Sequence, residues 1–119
     1  MTVGTFTDLD LRVLDDKPGW FCVLKDCWYF HSDFTYLVEA GTETDLASIP
    51  VFLRPFFSRT GKSRKAAVFH DHMYGMQYET RSKCDELFRQ MLIDCGVSRW
   101  RSTLYYWGVR AGGWTRGNW

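Results

Sequence analysis

Six residues between Cys84 and Cys95 constrain this chain more than any other feature. Cys84, Leu87, Phe88, Met91, Leu92 and Cys95 fall at i, i+3, i+4, i+7, i+8 and i+11, the full apolar stripe of an amphipathic helix with one buried face. Just before it, Ala66 to Met76 also reads as a helix, carried by Ala66-Ala67 and the Phe69, Met73, Met76 row. A short polar turn near Glu79 and Thr80 separates the two, so an antiparallel helix hairpin is expected over Ala66 to Cys95.

Chemistry-bearing residues fall inside that hairpin. At about 100° per residue, His70 and Tyr74 lie one turn apart on one face, with Asp71 at its edge and His72 turned roughly 200° from His70. On a helix the His-Asp-His run is therefore no two-histidine metal clamp. Asp85 borders the buried stripe of the second helix, with Arg81 one turn earlier. A carboxylate there is costly unless hydrogen-bonded or paired, and in an antiparallel hairpin it can face His70.

The rest of the chain reads as strands followed by helices. Thr5 to Asp10 is an extended arm or first strand, and Leu11 to Leu14 a short strand ended by the turn Asp15-Asp16-Lys17-Pro18-Gly19. Trp20 to Leu24, Trp28 to His31 and Phe34 to Val38 have strand composition. Lys25-Asp26 suits a tight link in an antiparallel meander. Thr42 to Pro50 should form a defined loop, its side-chain oxygens bonding backbone N–H groups and Pro50 keeping Ile49 out of the helical region. Val51 to Phe57 is apolar and broken by Pro55, and the basic stretch from Ser58 to Lys65 reads as an exposed loop with Ser63 an N-cap. Gly96 stops the second long helix and Ser98 starts a third, in which Trp100, Leu104, Trp107, Gly108 and Ala111 form the expected buried face up to Gly112-Gly113. The expected class is α+β, an N-terminal antiparallel meander packed on three C-terminal helices. One domain is expected over 1–119, with strands and loop in 1–50, helices in 63–113 and an aromatic, basic tail in 114–119.

Composition bounds the partners. With 45% hydrophobic and 18% aromatic residues the chain is not a disordered segment. Net charge is +1, but residues 1–50 carry 3 Lys/Arg against 9 Asp/Glu and residues 51–119 carry 12 against 5, leaving −6 and +7. That asymmetry points to intramolecular docking or a charged partner. The five basic residues from Arg54 to Lys65 match no nucleic-acid motif and read as a solvated loop. Nucleic acid is thus not an expected partner. Neither a signal segment nor a run of about 18 apolar residues is visible, so synthesis in a reducing cytosol is expected. Cys22, Cys27, Cys84 and Cys95 are then free thiols, the last two in the helix core.

Thr44-Asp45-Leu46-Ala47-Ser48-Ile49-Pro50, Ala67 with His70-Asp71-x-x-Tyr74, and Arg81-x-x-x-Asp85-x-x-Phe88 together resemble an uncharacterised family of small phage and prophage proteins, a domain of unknown function. The resemblance runs from about Gly41 to Arg110. It implies a phage setting and little chemistry, with the protein made in the host cytoplasm; incorporation in the virion beside other virion or tail proteins is an expectation that rests on the charge asymmetry, the six tryptophans and the aromatic tail.

A narrower resemblance covers His70-Asp71-x-x-Tyr74 with Arg81, Asp85, Phe88, Met91 and Cys95. It is similar to the catalytic helix pair of small calcium-dependent secreted phospholipases, especially the bacterial type. That similarity implies His70 as general base, Asp85 as the carboxylate orienting its ring, and Asp71 as a Ca2+ ligand. No Gly-rich calcium loop accompanies it. Independently of family, a neutral imidazole held by a carboxylate is a competent base near neutral pH, Tyr74 can close the network, and Asp71, Asp45 and loop carbonyls can offer calcium its oxygens. Ser48 as nucleophile with His70 and Asp85 is a second enzymatic arrangement. The functional expectation is a metal-assisted hydrolase acting on a lipid or envelope ester. The alternative is a non-catalytic virion or tail component whose His70–Asp85 pair is a buried structural bond.

Overall fold

The computed structural model describes residues 4–32, 34–45 and 63–113. The expectations for Leu46 to Pro50, including Ser48, for Val51 to Phe57, for most of the basic loop and for the tail from Trp114 to Trp119 lie outside the described residues. The chain is α+β: antiparallel strands in the N-terminal part, three helices in the C-terminal part. It is organised as two compact units, Met1–Leu46 and Ala47–Trp119.

Within the first unit, described strands run β1 (Thr5–Phe6), β2 (Leu11–Val13), β3 (Phe21–Val23), β4 (Cys27–His31), β5 (Phe34–Val38) and β6 (Glu43–Thr44). All pairings are antiparallel. The strands form two three-stranded sheets, ordered β1-β4-β5 and β2-β3-β6. Lys25-Asp26 therefore carries the chain from one sheet to the other instead of joining a β3–β4 hairpin. Asp26 fixes this crossing, its Oδ1 accepting from the Ala40 N–H at 2.8 Å. The Asp15 to Gly19 turn forms as its chemistry requires, with Gly19 at φ +85°.

Glu43–Thr44 was expected in a loop, yet pairs with β3. Two residues carry no readable alternation, and the pairing comes from β3 offering its second edge. Alternation is clean on β4, where Cys27 and Tyr29 are buried while Trp28 and Phe30 are exposed.

In the second unit the described helices are α1 (Arg64–Met76), α2 (Arg81–Asp94) and α3 (Arg99–Gly113). Ser63 occupies the N-cap position of α1, but its side chain makes no capping bond. Gln77 ends that helix in the left-handed conformation, at φ 48°. Thr80 caps α2, its hydroxyl accepting from the Lys83 N–H at 3.2 Å. Gly96, at φ +96°, ends it. The turns after α1 and α2 are short, and α2 packs against both neighbours.

Ala66, Ala67, Val68, Phe69 and Met73 of α1 are buried, as are Cys84, Phe88, Met91 and Leu92 of α2. The stripe read from the sequence is thus the core of the hairpin, with Leu87 and Cys95 half-buried at its margins. The face expected for α3 is the opposite of the one observed. Ser102, Tyr105 and Val109 are buried, whereas Trp100, Leu104 and Trp107 are 64%, 57% and 62% exposed. The bulk of the tryptophans favours the other side; the helix is turned so that Val109 is buried and Arg110 reaches the buried Asp85 carboxylate of α2, which needs a cation. None of the four cysteines is in a disulfide.

Candidate functional site

Three helices converge on one carboxylate. Asp85 sits on the inner face of α2, and His70 and Tyr74, one turn apart on α1, both reach its Oδ1. His70 Nε2 lies 2.7 Å from that oxygen and the Tyr74 hydroxyl donates to it at 2.5 Å. Oδ2 is taken by Arg110 of α3, whose Nη1 donates at 3.2 Å. Arg81, one turn before Asp85, places its own Nη1 3.9 Å from Oδ2 and donates to the Arg110 carbonyl at 3.3 Å.

An ionised carboxylate only accepts, so the proton of the shared bond belongs to Nε2, and in a neutral ring Nδ1 becomes the basic nitrogen. The imidazole is clamped between two rings: Tyr74 at 4.2 Å between centroids and Phe88 at 4.6 Å. His70 and Asp85 are both 0% exposed, Tyr74 and Arg81 are buried, and only Arg110 reaches solvent, its side chain 27% exposed. Among the described residues no buried side-chain nitrogen or oxygen lacks a partner.

Burial pushes the Tyr74 phenol far above its ordinary value of 10.0, and the bond to Asp85 and the charge of that carboxylate push the same way against Arg81. Tyr74 is thus a permanent donor. Burial also raises the Cys84 thiol, next to Asp85, making it a core residue rather than a reactive one.

The structure brings together His70, Tyr74, Asp85 and Arg81, the residues singled out by helical spacing. His72 is only half-buried, away from His70, as the helical reading requires. Asp71 is half-buried on α1, and Asp45 follows β6 in the other unit. Calcium takes about six to eight oxygens, and among the described residues no three His, Cys, Asp or Glu side chains are grouped to hold a metal.

Arg110 is the member that linear reading missed. It lies 25 residues beyond Asp85, with no periodic relation to it. The one available signal was the carboxylate itself, whose second oxygen demanded a partner.

Fold and site define a class: an α+β protein whose helical unit closes on a buried His, Tyr, Arg and carboxylate network. The chain belongs to the family described as "Protein of unknown function (DUF1353)", which matches residues 21–109. No curated protein and no solved structure matches it.

Proposed function

We propose that this protein is a non-catalytic structural component of a phage or prophage particle, with the His70–Asp85 pair as internal scaffolding. One observation carries the non-catalytic half: both oxygens of a fully buried Asp85 on α2 are spent on side chains from the two neighbouring helices, His70 and Tyr74 of α1 and Arg110 of α3. A catalytic dyad needs its basic nitrogen open to substrate or water, and the His70 ring has no exposed surface. A buried, fully satisfied polar cluster instead ties elements together in one arrangement. The phage setting is supported by the three sequence blocks around Asp45, His70 and Asp85.

The metal-assisted hydrolase acting on a lipid or envelope ester keeps one supporting observation, the 2.7 Å imidazole to carboxylate bond. It requires the helices to open before His70 meets an ester. The two readings separate on a panel of phospholipids and simple esters, assayed with calcium and with chelator, beside the proteome of purified particles. The expected result is no turnover, with the protein present in particles at fixed stoichiometry. Turnover that disappears in a folded His70→Ala variant would establish the hydrolase instead, and absence from particles would remove the virion placement.

A further inference from the structure

Helix α3 turns an apolar stripe to solvent. Trp100, Leu104 and Trp107 are mostly exposed and, at i, i+4 and i+7, share one side of the helix. Two tryptophans and a leucine at this exposure offer roughly 350 Å² of apolar surface, within the range of patches that mark interaction sites. One end of the stripe is cationic. Arg99 and Arg101 are exposed there, and the Arg101 guanidinium lies over the Trp100 ring at 5.5 Å; at the other end Glu86 and Arg89 of α2 line a recess with Trp107.

The first unit carries a second patch of opposite sign. On the outer side of β4, Trp28 and Phe30 are 36% and 45% exposed and stack at 5.9 Å between centroids. Leu37, opposite Trp28 in the register, extends the patch. The adjoining end of that sheet is acidic: Asp8, Asp26 and Glu39 are all exposed. They are drawn to the same end by the Thr7 N–H bond to the Trp28 carbonyl and by the Cys27 to Val38 pairing. The nearby Lys25 is turned toward Asp10, 3.7 Å away.

We propose that copies of this chain associate head to tail, the β4 face of one copy seated on the α3 face of the next. The charges favour this geometry over symmetric contacts that bring like ends together. An α3-to-α3 contact aligning the two Trp100 ends would oppose Arg99 and Arg101 of both copies, and a β4-to-β4 contact aligning the acidic ends would oppose their carboxylates, both unfavourable. Aromatic rows then meet with opposite charges beside them. A heterologous contact of this kind repeats, giving a ring if the rotation closes and a filament if it does not. Its area places each junction among weak, salt-sensitive contacts. The proposal stands on surface chemistry alone and does not depend on the particle placement above.

Sedimentation equilibrium of the full chain between about 10 µM and about 1 mM tests it. The average mass should climb beyond a dimer with concentration at low salt and fall back in high salt. Arg101→Glu should weaken association at least about tenfold, and the same loss is expected from Asp8→Lys with Glu39→Lys. The decisive step is mixing. A Trp100→Ser/Trp107→Ser variant and a Trp28→Ser/Phe30→Ser variant should each stay monomeric alone, yet form a one-to-one dimer and nothing larger together, since one intact junction remains. Circular dichroism shows that the variants are folded. A monomer across the whole range overturns the proposal. So does association that survives loss of the β4 patch, which means a symmetric helix contact, or binding of the α3 face to anionic phosphatidylglycerol vesicles without any self-association.

Discussion

Asp85 is the residue whose loss the molecule tolerates least. Its carboxylate is the common acceptor for His70, Tyr74 and Arg110, so Asp85→Ala strands two buried donors and leaves Arg81 and Arg110 without their counter-charge. Removing one partner of a buried ionic cluster costs about 3–5 kcal/mol, and urea unfolding of Asp85→Ala should show a loss of that order. A loss below about 1 kcal/mol, the level of an exposed pair, would mean that the cluster is not sealed. Tyr74 gives a pH signature. Its folded-state value is raised above the ordinary 10.0, so its contribution is intact below that pH and is lost as pH rises, when the unfolded phenol ionises and the folded one does not. Stability should fall by up to about 1.4 kcal/mol per pH unit above that point from this group. Cys84 is raised from 9.0 and acts in the same sense, starting lower. Comparison of wild type with Tyr74→Phe isolates the phenol: the alkaline decline should flatten in the variant, and an unchanged slope would assign it elsewhere.

At the scale of the element, α3 separates burial from hydropathy. Val109 is fully buried, while Leu104 is 57% exposed, although both are aliphatic residues of one helix. Val109→Asp should therefore unfold the helical unit or cost well over 3 kcal/mol, and Leu104→Ser should change stability by no more than about 0.5 kcal/mol. Chemical denaturation of the two variants measures the difference, and equal losses would restore the orientation that the tryptophans suggested. α1 and α2 were legible because each has a stripe of residues whose neighbours on the same face are also apolar. α3 was not, because its two sides compete: Trp100, Leu104 and Trp107 outrank Ser102, Tyr105 and Val109 in apolar bulk, yet Arg110 lies next to the second group. Where an ionic bond to a buried carboxylate sets the rotation of a helix, an apolar moment points the wrong way.

For the whole molecule, an antiparallel β part followed by a helical part was readable from composition and punctuation, while the division into two sheets was not. β3 and β4 look like a hairpin because only Lys25-Asp26 and the strand ends separate them, yet they pair with β2 and β6 on one side and with β1 and β5 on the other. No disulfide joins any of the elements. The melting temperature should accordingly be the same with and without reductant, and a drop in reductant would reveal a cystine holding the fold.

By itself the sequence determined the helix hairpin, its core stripe, and the meeting of His70 with Asp85, because 3.6-residue periodicity and a short turn are local properties that place side chains without reference to distant chain. Tertiary structure alone decided the register of the short strands, the face that α3 buries, and the choice of Arg110 as the second partner of Asp85. Those three depend on which distant backbone edge or charge is left unsatisfied once the local elements have formed, and no spacing along the chain encodes that.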